Sequence, residues 1–468
     1  MLKDANRILL FNALLGNFLA GIAGRIFMVS LPTIAEALRT DIAGISWALL
    51  SYQIVSIGLV LIFGRLGDIY GREKIYGTGY IILTTAAFFC GLSQNIYQLV
   101  AFRIMQGAGS AMVQSSSRAI ASDALPENQL GKAQGLMTSA FHTGFFLGPT
   151  IGGLIIEYTH WRGVFFFLVP IGIAGAFLTF KNMKKAEKGK SQTKAVDYLG
   201  GALIVLVVTT LTFLLDRRTN QALGAGSQYV LGFLFLSSLA GFIIREKNVI
   251  NPIVELSLFK IKLFTLSSIS LLILSVSHGM TGFLIPFYLQ DILHISPSFM
   301  GLLFMSAPIF TISLSPLSGY LTDRTGSRLP ATLGVVGTIF SIMVGMLLRP
   351  DSYWMMPALM LALGGVGSGF FNSANHAAMI GSVPKEYKGF ANGALQLMFN
   401  MGHLFGISLG SFLMSLAFQF QAGNRAASGI TTQDPLAFVA ALNSTYTAAI
   451  FIAGIALVST VLRGPKKT

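Results

Sequence analysis

Apolar stretches of roughly 20 residues, the length a helix needs to cross a bilayer, recur fourteen times along the 468-residue chain. No other feature constrains the fold as strongly. They fall at about 8–36, 45–65, 75–94, 97–121, 133–157, 163–180, 198–215, 228–244, 263–288, 298–320, 330–348, 354–380, 389–418 and 439–462. A membrane-spanning β-strand would alternate strictly over about 10 residues, and runs such as Leu199–Leu215 do not alternate. The expectation is an all-α membrane protein with 14 transmembrane helices: two six-helix bundles plus two inserted helices. Composition agrees, with 53% hydrophobic and 11% charged residues, where soluble domains carry about 25% charged residues. The single cysteine, Cys90, leaves no intrachain disulfide and no CxxC metal site. No metal and no cofactor is expected, and the first stretch is long enough to span, with no cleavage signal after it.

The net charge of +14 would suggest nucleic acid in a soluble protein. With the N-terminus placed in the cytoplasm, only Arg39, Arg162, Arg217, Arg218, Arg349 and Arg425 fall on external loops. Arg25, Arg103 and Arg118 fall inside spans, and every other Lys and Arg sits on the cytoplasmic side. That asymmetry follows the positive-inside rule. Most of the charge is therefore a record of topology, both termini are expected in the cytoplasm, and no nucleic-acid partner is expected. The segment Lys181–Asp197 carries six Lys. It reads as a basic linker, or as a surface for anionic lipid at about 1 kcal/mol per basic residue. The expected division is residues 1–180 as an N-terminal bundle, 181–262 as linker, inserted helices and following loop, and 263–468 as a C-terminal bundle with its tail.

An internal echo supports that division. Gly64-Arg-Leu-Gly-Asp68-Ile-Tyr-Gly71-Arg72 follows the second stretch, and Gly319-Tyr-Leu-Thr-Asp323-Arg324-Thr-Gly326-Ser-Arg328 follows the tenth. Both read G-x-L-x-D-x-x-G with an Arg close behind. The glycines permit a tight reversal, and the charges can latch one conformation and release another. Parallel repeats of this kind mark transporters with a site between the halves.

With these residues the chain resembles the major facilitator superfamily. The first loop is similar to the family's motif between helices 2 and 3. Arg103-Ile-Met-Gln106-Gly107-Ala-Gly109-Ser-Ala111 is similar to its R-x-x-Q-G-x-G-x-A motif. Gly144-Phe-Phe-Leu-Gly148-Pro149-Thr-Ile-Gly152-Gly153 resembles its antiporter motif. The count of fourteen and Trp161-Arg162 followed by Val169-Pro170 resemble the drug:proton antiporter branch. The resemblance implies multidrug efflux from a prokaryotic cytoplasmic membrane, by a monomer acting through alternating access. It implies a part in proton or substrate movement for Arg103, and in antiport for the glycines and Pro149. Pro149 bends its helix while small residues let helices slide. Arg103 has a second reading, as a structural donor to carbonyls of neighbouring helices.

The chain departs from the branch in its first helix. Where the branch carries L-D-x-T-I-V-N-V-A-L-P, this chain has Ala23, Arg25 and Met28 at the aspartate, threonine and asparagine. No carboxylate lies near the middle of a span: Glu36, Glu157 and Asp291 sit near external ends, and Asp68, Asp123 and Asp323 near cytoplasmic ends. The embedded charges are all arginines, and an arginine keeps its charge. Guanidinium groups attract carboxylate or phosphate. Arg103 and Arg118 lie about 22 Å apart along one helix, too far to share a small ligand. The expectation is an anionic or zwitterionic amphipathic solute near Arg25, about two thirds along the first stretch. The alternative is that Arg25 is neutralised by helix-end carbonyls or reaches the outer surface.

Further polar candidates for solute contact are Arg118, Gln106, Asn372, Asn375, Gln396 and Asn400. Proton coupling requires a titrating group. Candidates are His142, His278, His376 and His403, because histidine titrates nearest neutral pH. Asp68 is an alternative at the cytoplasmic rim, and transport without protons is a third reading. Rival functions are organic-anion uptake or exchange, a membrane-embedded enzyme using His as base, and a transporter-like sensor.

Overall fold

The structure is a computed structural model that describes residues 4–124, 130–182, 198–215, 224, 226–249, 255–384, 387–422 and 434–464. Among these residues there are helices and turns and no strand. The long helices are α1 (Asp4–Arg25), α2 (Ile42–Tyr70), α3 (Arg72–Leu92), α4 (Ile96–Ala124), α5 (Leu130–Tyr158), α6 (Leu168–Asn182) and α7 (Tyr198–Leu215). They continue as α8 (Ser227–Asn248), α9 (Lys262–Phe287), α10 (Pro297–Thr325), α11 (Arg328–Met346), α12 (Met355–Gly381), α13 (Lys388–Ala422) and α14 (Pro435–Val461). Most apolar stretches of the sequence lie in one of them, and the first, at about 8–36, runs past the end of α1.

The local sequence sets the ends. Ser296 accepts from the Phe299 N–H at 3.4 Å and Pro297 opens α10. Asp434 accepts from Ala437 at 3.1 Å and Pro435 opens α14. A capping oxygen satisfies an orphan amide, and proline fits the first turn because its missing N–H is not needed there. The repeated loop has the same backbone device in both copies. Gly71 has φ 102° and Gly326 φ 82°, conformations that favour glycine.

Among the described residues, twelve helices are long and apolar enough to cross a membrane. The expected count of fourteen spans is not established on that basis, because two stretches fall short. Ile96–Ala124 has 29 residues but buries Arg103, Gln106, Ser110, Gln114, Ser116 and Ser117. Leu199–Leu215 is apolar but short, and about 17 residues reach only ~26 Å.

The chain divides into two compact units. One comprises Met1–Thr40, Trp47–Leu211 and Gln228–Ile253; the other comprises Asp41–Ser46, Thr212–Ser227 and Val254–Thr468. Their internal packing repeats. In the first, α1 packs on α5 and α3 packs on α4 and α6; in the second, α9 packs on α13 and α11 packs on α12 and α14. The correspondence reaches single residues. A Cβ on Gly144 of α5 would collide with the Phe18 carbonyl oxygen and stand 2.8 Å from the Ile22 nitrogen. A Cβ on Gly406 of α13 would collide with the Val276 carbonyl oxygen and stand 3.0 Å from the Met280 nitrogen. Glycine at these points lets two helices meet backbone to backbone, as membrane helices do where no hydrophobic effect drives them together.

Candidate functional site

The first helix does not run through its whole apolar stretch. It stops at Arg25, continues as a single 3-10 turn over Ile26–Met28, and resumes as Leu31–Ala37 with Pro32 in the first turn. Proline there lacks the N–H that an unbroken helix would use. Arg25 is therefore the C-terminal residue of α1, rather than a residue two thirds along a continuous helix. A helix C-terminus carries partial negative charge and suits a cation, and broken helices are where transporters gather ligands.

Arg25 is half-buried. Its Nη1 donates to Met28 Sδ at 2.8 Å, and its guanidinium carbon stands 4.1 Å from the centre of the Phe145 ring. Phe145 belongs to an aromatic run on α5. The His142 ring lies 5.6 Å from Phe141, 6.4 Å from Phe145 and, stacked, 6.0 Å from Phe146. The antiporter-like motif carries α5 along the break. A Cβ on Gly148 would stand 2.9 Å from the Ile26 nitrogen and 3.3 Å from the Arg25 Cβ, and one on Gly152 2.5 Å from the Ile26 oxygen. Pro149 lies inside α5, and Gly153 is buried beside it. The motif and the departing first-helix residue, separate in the sequence, meet in one place.

Arg103 is fully buried. Its Nε donates to the Ala48 carbonyl at 2.9 Å, and its Nη1 donates to the Ala23 carbonyl at 3.3 Å and to Gln106 Oε1 at 2.7 Å. Its guanidinium lies 4.2 Å from the Tyr52 ring centre and 5.0 Å from that of Phe27. Ala23 is in the last turn of α1, whose carbonyls lack helical partners. Arg103 thus caps the broken end that presents Arg25, with Gln106 as its partner. The reading of Arg103 as a donor to neighbouring carbonyls describes this geometry.

In the second unit the rings of His278 on α9 and His403 on α13 stand 6.5 Å apart at 26°. Phe399 meets His403 edge-on at 4.6 Å. His403 is buried and His278 half-buried. A Cβ on Gly279 would stand 2.5 Å from the His403 carbonyl oxygen, so the pair sits in the close seam of α9 and α13. In the corresponding seam of the first unit, Gly21 faces the Phe141 carbonyl. Gln396 Nε2 donates to Asn400 Oδ1 at 3.0 Å, further along α13. On α12, Asn372 and His376 are half-buried and Asn375 is fully buried.

The structure brings together Arg25 with His142's aromatic run, Arg103 with Gln106, His278 with His403, and Gln396 with Asn400. Gly64 and Arg72 are half-buried near the first repeated loop, and Asp323, Arg324 and Arg328 are exposed at the second, with Arg324 4.5 Å from the Tyr320 ring centre. The side chains of Asp68 and Arg118, and most of the basic linker, lie outside the described residues. Sequence reasoning missed Arg463. It is 6% exposed, and its Nη2 donates to Asn375 Oδ1 at 2.6 Å and to Ser270 Oγ.

The chain matches the Major Facilitator Superfamily over residues 13–267 and 267–463. It is 29% identical over 454 residues, 97% of this chain and 96% of the relative, to the riboflavin transporter RibZ of Clostridioides difficile. It is 27% identical over 416 residues, 87% of this chain and 75% of the relative, to the multidrug transporter protein MdtP of Bacillus subtilis. Among solved structures, a bacterial homologue of the human lysosomal transporter Spinster, inward-facing and unoccupied, superposes with a TM-score of 0.67 at 16% identity, covering 98% of this chain and 97% of that one. The fold, the membrane helices and the motifs define a membrane transporter of small molecules. The chain belongs to the Major Facilitator Superfamily.

Proposed function

We propose that this transporter moves a small, planar, amphipathic organic anion or zwitterion out of a prokaryotic cell by proton-coupled alternating access. The observation that carries the reading is the break of α1 at Arg25, which sets a guanidinium against the aromatic face of Phe145. A guanidinium recognises carboxylate or phosphate, and the aromatic run offers a surface for a flat apolar body. The named substrates of the relatives, a flavin in one and drugs in others, include flat aromatic molecules. In this reading all fourteen stretches span, the termini are cytoplasmic, and the repeated charged loops control the exchange of states. Thermal unfolding of the purified protein tests it. Fluorescein, a planar anion, is expected to raise the melting temperature, and ethidium, a planar cation of similar size, is not. Stabilisation by ethidium alone rejects it.

The His278–His403 pair is the coupling site in this reading. Among the described residues, α9, α12, α13 and α14 contain no carboxylate, and their other titratable side chains away from the helix ends are His376 and Tyr446. Two unit charges at the separation of these rings repel by about 2–3 kcal/mol at an effective dielectric near ~20. The pair therefore takes one proton at a time, in the seam where glycines let α9 and α13 slide. His403→Phe places there the residue type that the first unit has at Phe141. That variant is expected to lose solute accumulation driven by a pH gradient across proteoliposomes and to retain solute exchange at equal pH. Gradient-driven accumulation at the wild-type level would reject the pair as the coupling site.

A further inference from the structure

We propose that Arg463, with Ser270 and Asn375, forms an anion site that holds a phosphate group at the end of the second unit, apart from the transported solute. Both of its protein acceptors, Ser270 Oγ on α9 and Asn375 Oδ1 on α12, sit on one nitrogen, Nη2. Nε and Nη1 are buried and have no partner among the described residues. Ser270 turns its own hydroxyl hydrogen toward the Leu266 and Ser267 carbonyls, at 2.6 Å and 3.2 Å, which leaves its lone pairs for the guanidinium. One turn away on the same side of α9, the Ser267 hydroxyl is also buried without a partner. Three unsatisfied polar atoms in one cluster are rare, because buried donors in native proteins are nearly always paired.

Charge makes the case stronger. Burial pushes the Arg463 guanidinium down to about 9, so it stays charged at neutral pH. A buried charge is tolerated when a counter-charge and hydrogen bonds compensate it. Arg103 is better served, with acceptors on two nitrogens and two aromatic faces and only Nη2 buried without a partner among the described residues. Arg463 has acceptors on one nitrogen and a single distant ring, Phe371 at 5.9 Å. The first unit needs no ion at the matching place. There Asn12, six residues before Phe18 as Ser270 is before Val276, joins Tyr76, Tyr80 and Thr179 in a neutral network. Arg463 follows the end of α14 at Val461 by two residues, and basic pockets between helices bind lipid phosphates. The phosphate comes from a lipid or from solution, and one experiment separates the two.

The full-length protein is purified in detergent as wild type, Arg463→Gln and Arg463→Lys. Its thermal unfolding is followed with added phosphatidylglycerol, with a phosphate-free galactolipid, and with inorganic phosphate. Phosphatidylglycerol is expected to raise the wild-type melting temperature by several degrees beyond the galactolipid, a shift lost in Arg463→Gln and reduced in Arg463→Lys, which keeps the charge without the planar fork. A matching Arg463-dependent shift with inorganic phosphate alone assigns the site to the free ion. Native mass spectrometry after delipidation and addition of phosphatidylglycerol is expected to show one bound phosphate-bearing molecule in wild type and none in Arg463→Gln. The proposal is overturned if neither phosphate source shifts the wild type, or if Arg463→Gln shifts as the wild type does. Should Arg463→Gln fail to fold, the wild-type and lysine arms still decide. None of these readouts depends on transport.

Discussion

Arg25→Ala is expected to cut fluorescein efflux from lightly loaded proteoliposomes at least roughly tenfold while leaving the protein folded. The two effects separate because the side chain does little for the fold and much for an anion. Its contacts include a thioether sulfur and the Phe145 ring, and a cation–π contact at a partly exposed site is worth about 0.5–1 kcal/mol. A hydrogen bond between charged groups contributes about 1.5–3 kcal/mol, so losing it weakens binding roughly tenfold to a hundredfold. Arg25→Lys should keep part of the efflux, since it retains charge but not the planar fork. Efflux by Arg25→Ala at the wild-type rate would remove Arg25 from the solute site.

The second large effect belongs to the glycines of α5. Gly144→Ala is expected to lower the melting temperature by several degrees, and Gly144→Leu to prevent accumulation of folded protein in the membrane. A Cβ at this position meets the backbone of Phe18 and Ile22, which cannot turn aside as a flexible side chain does. Overpacking of this kind costs about 1–3 kcal/mol even for modest additions. Gly454→Ala on α14 is the control, because a Cβ there meets nothing within 4 Å. It should fold and transport as wild type. The same outcome for Gly144→Leu would show that α1 and α5 do not need their close approach.

Helices and their repeat were legible in the sequence because hydrocarbon demands long apolar runs and a duplicated fold keeps its turn glycines. Gly71 and Gly326, 255 positions apart, announce the same left-handed turn. Arg25 was legible as a charge where the branch carries a threonine. The break beside it was not, because the apolar stretch continues through Ile26–Leu31 and Pro32 reads equally well as part of a family motif. Spacing could have joined Arg103 to Gln106, three residues apart on one helix face. No spacing could have joined His278 to His403, which only the packing of α9 on α13 brings together. Arg463 was hidden by its neighbours. It precedes Lys466 and Lys467, and a basic tail after the last span reads as topology. Its burial between α9 and α12 follows from tertiary packing, which carries no hydropathy signal.

The central claim is that a guanidinium at the broken end of α1 selects an anionic solute. The most direct measurement is paired efflux of fluorescein and ethidium from wild-type proteoliposomes under one imposed pH gradient. Fluorescein is expected to leave faster than from protein-free vesicles, and ethidium is expected to match the protein-free rate. Ethidium efflux without fluorescein efflux would contradict the account.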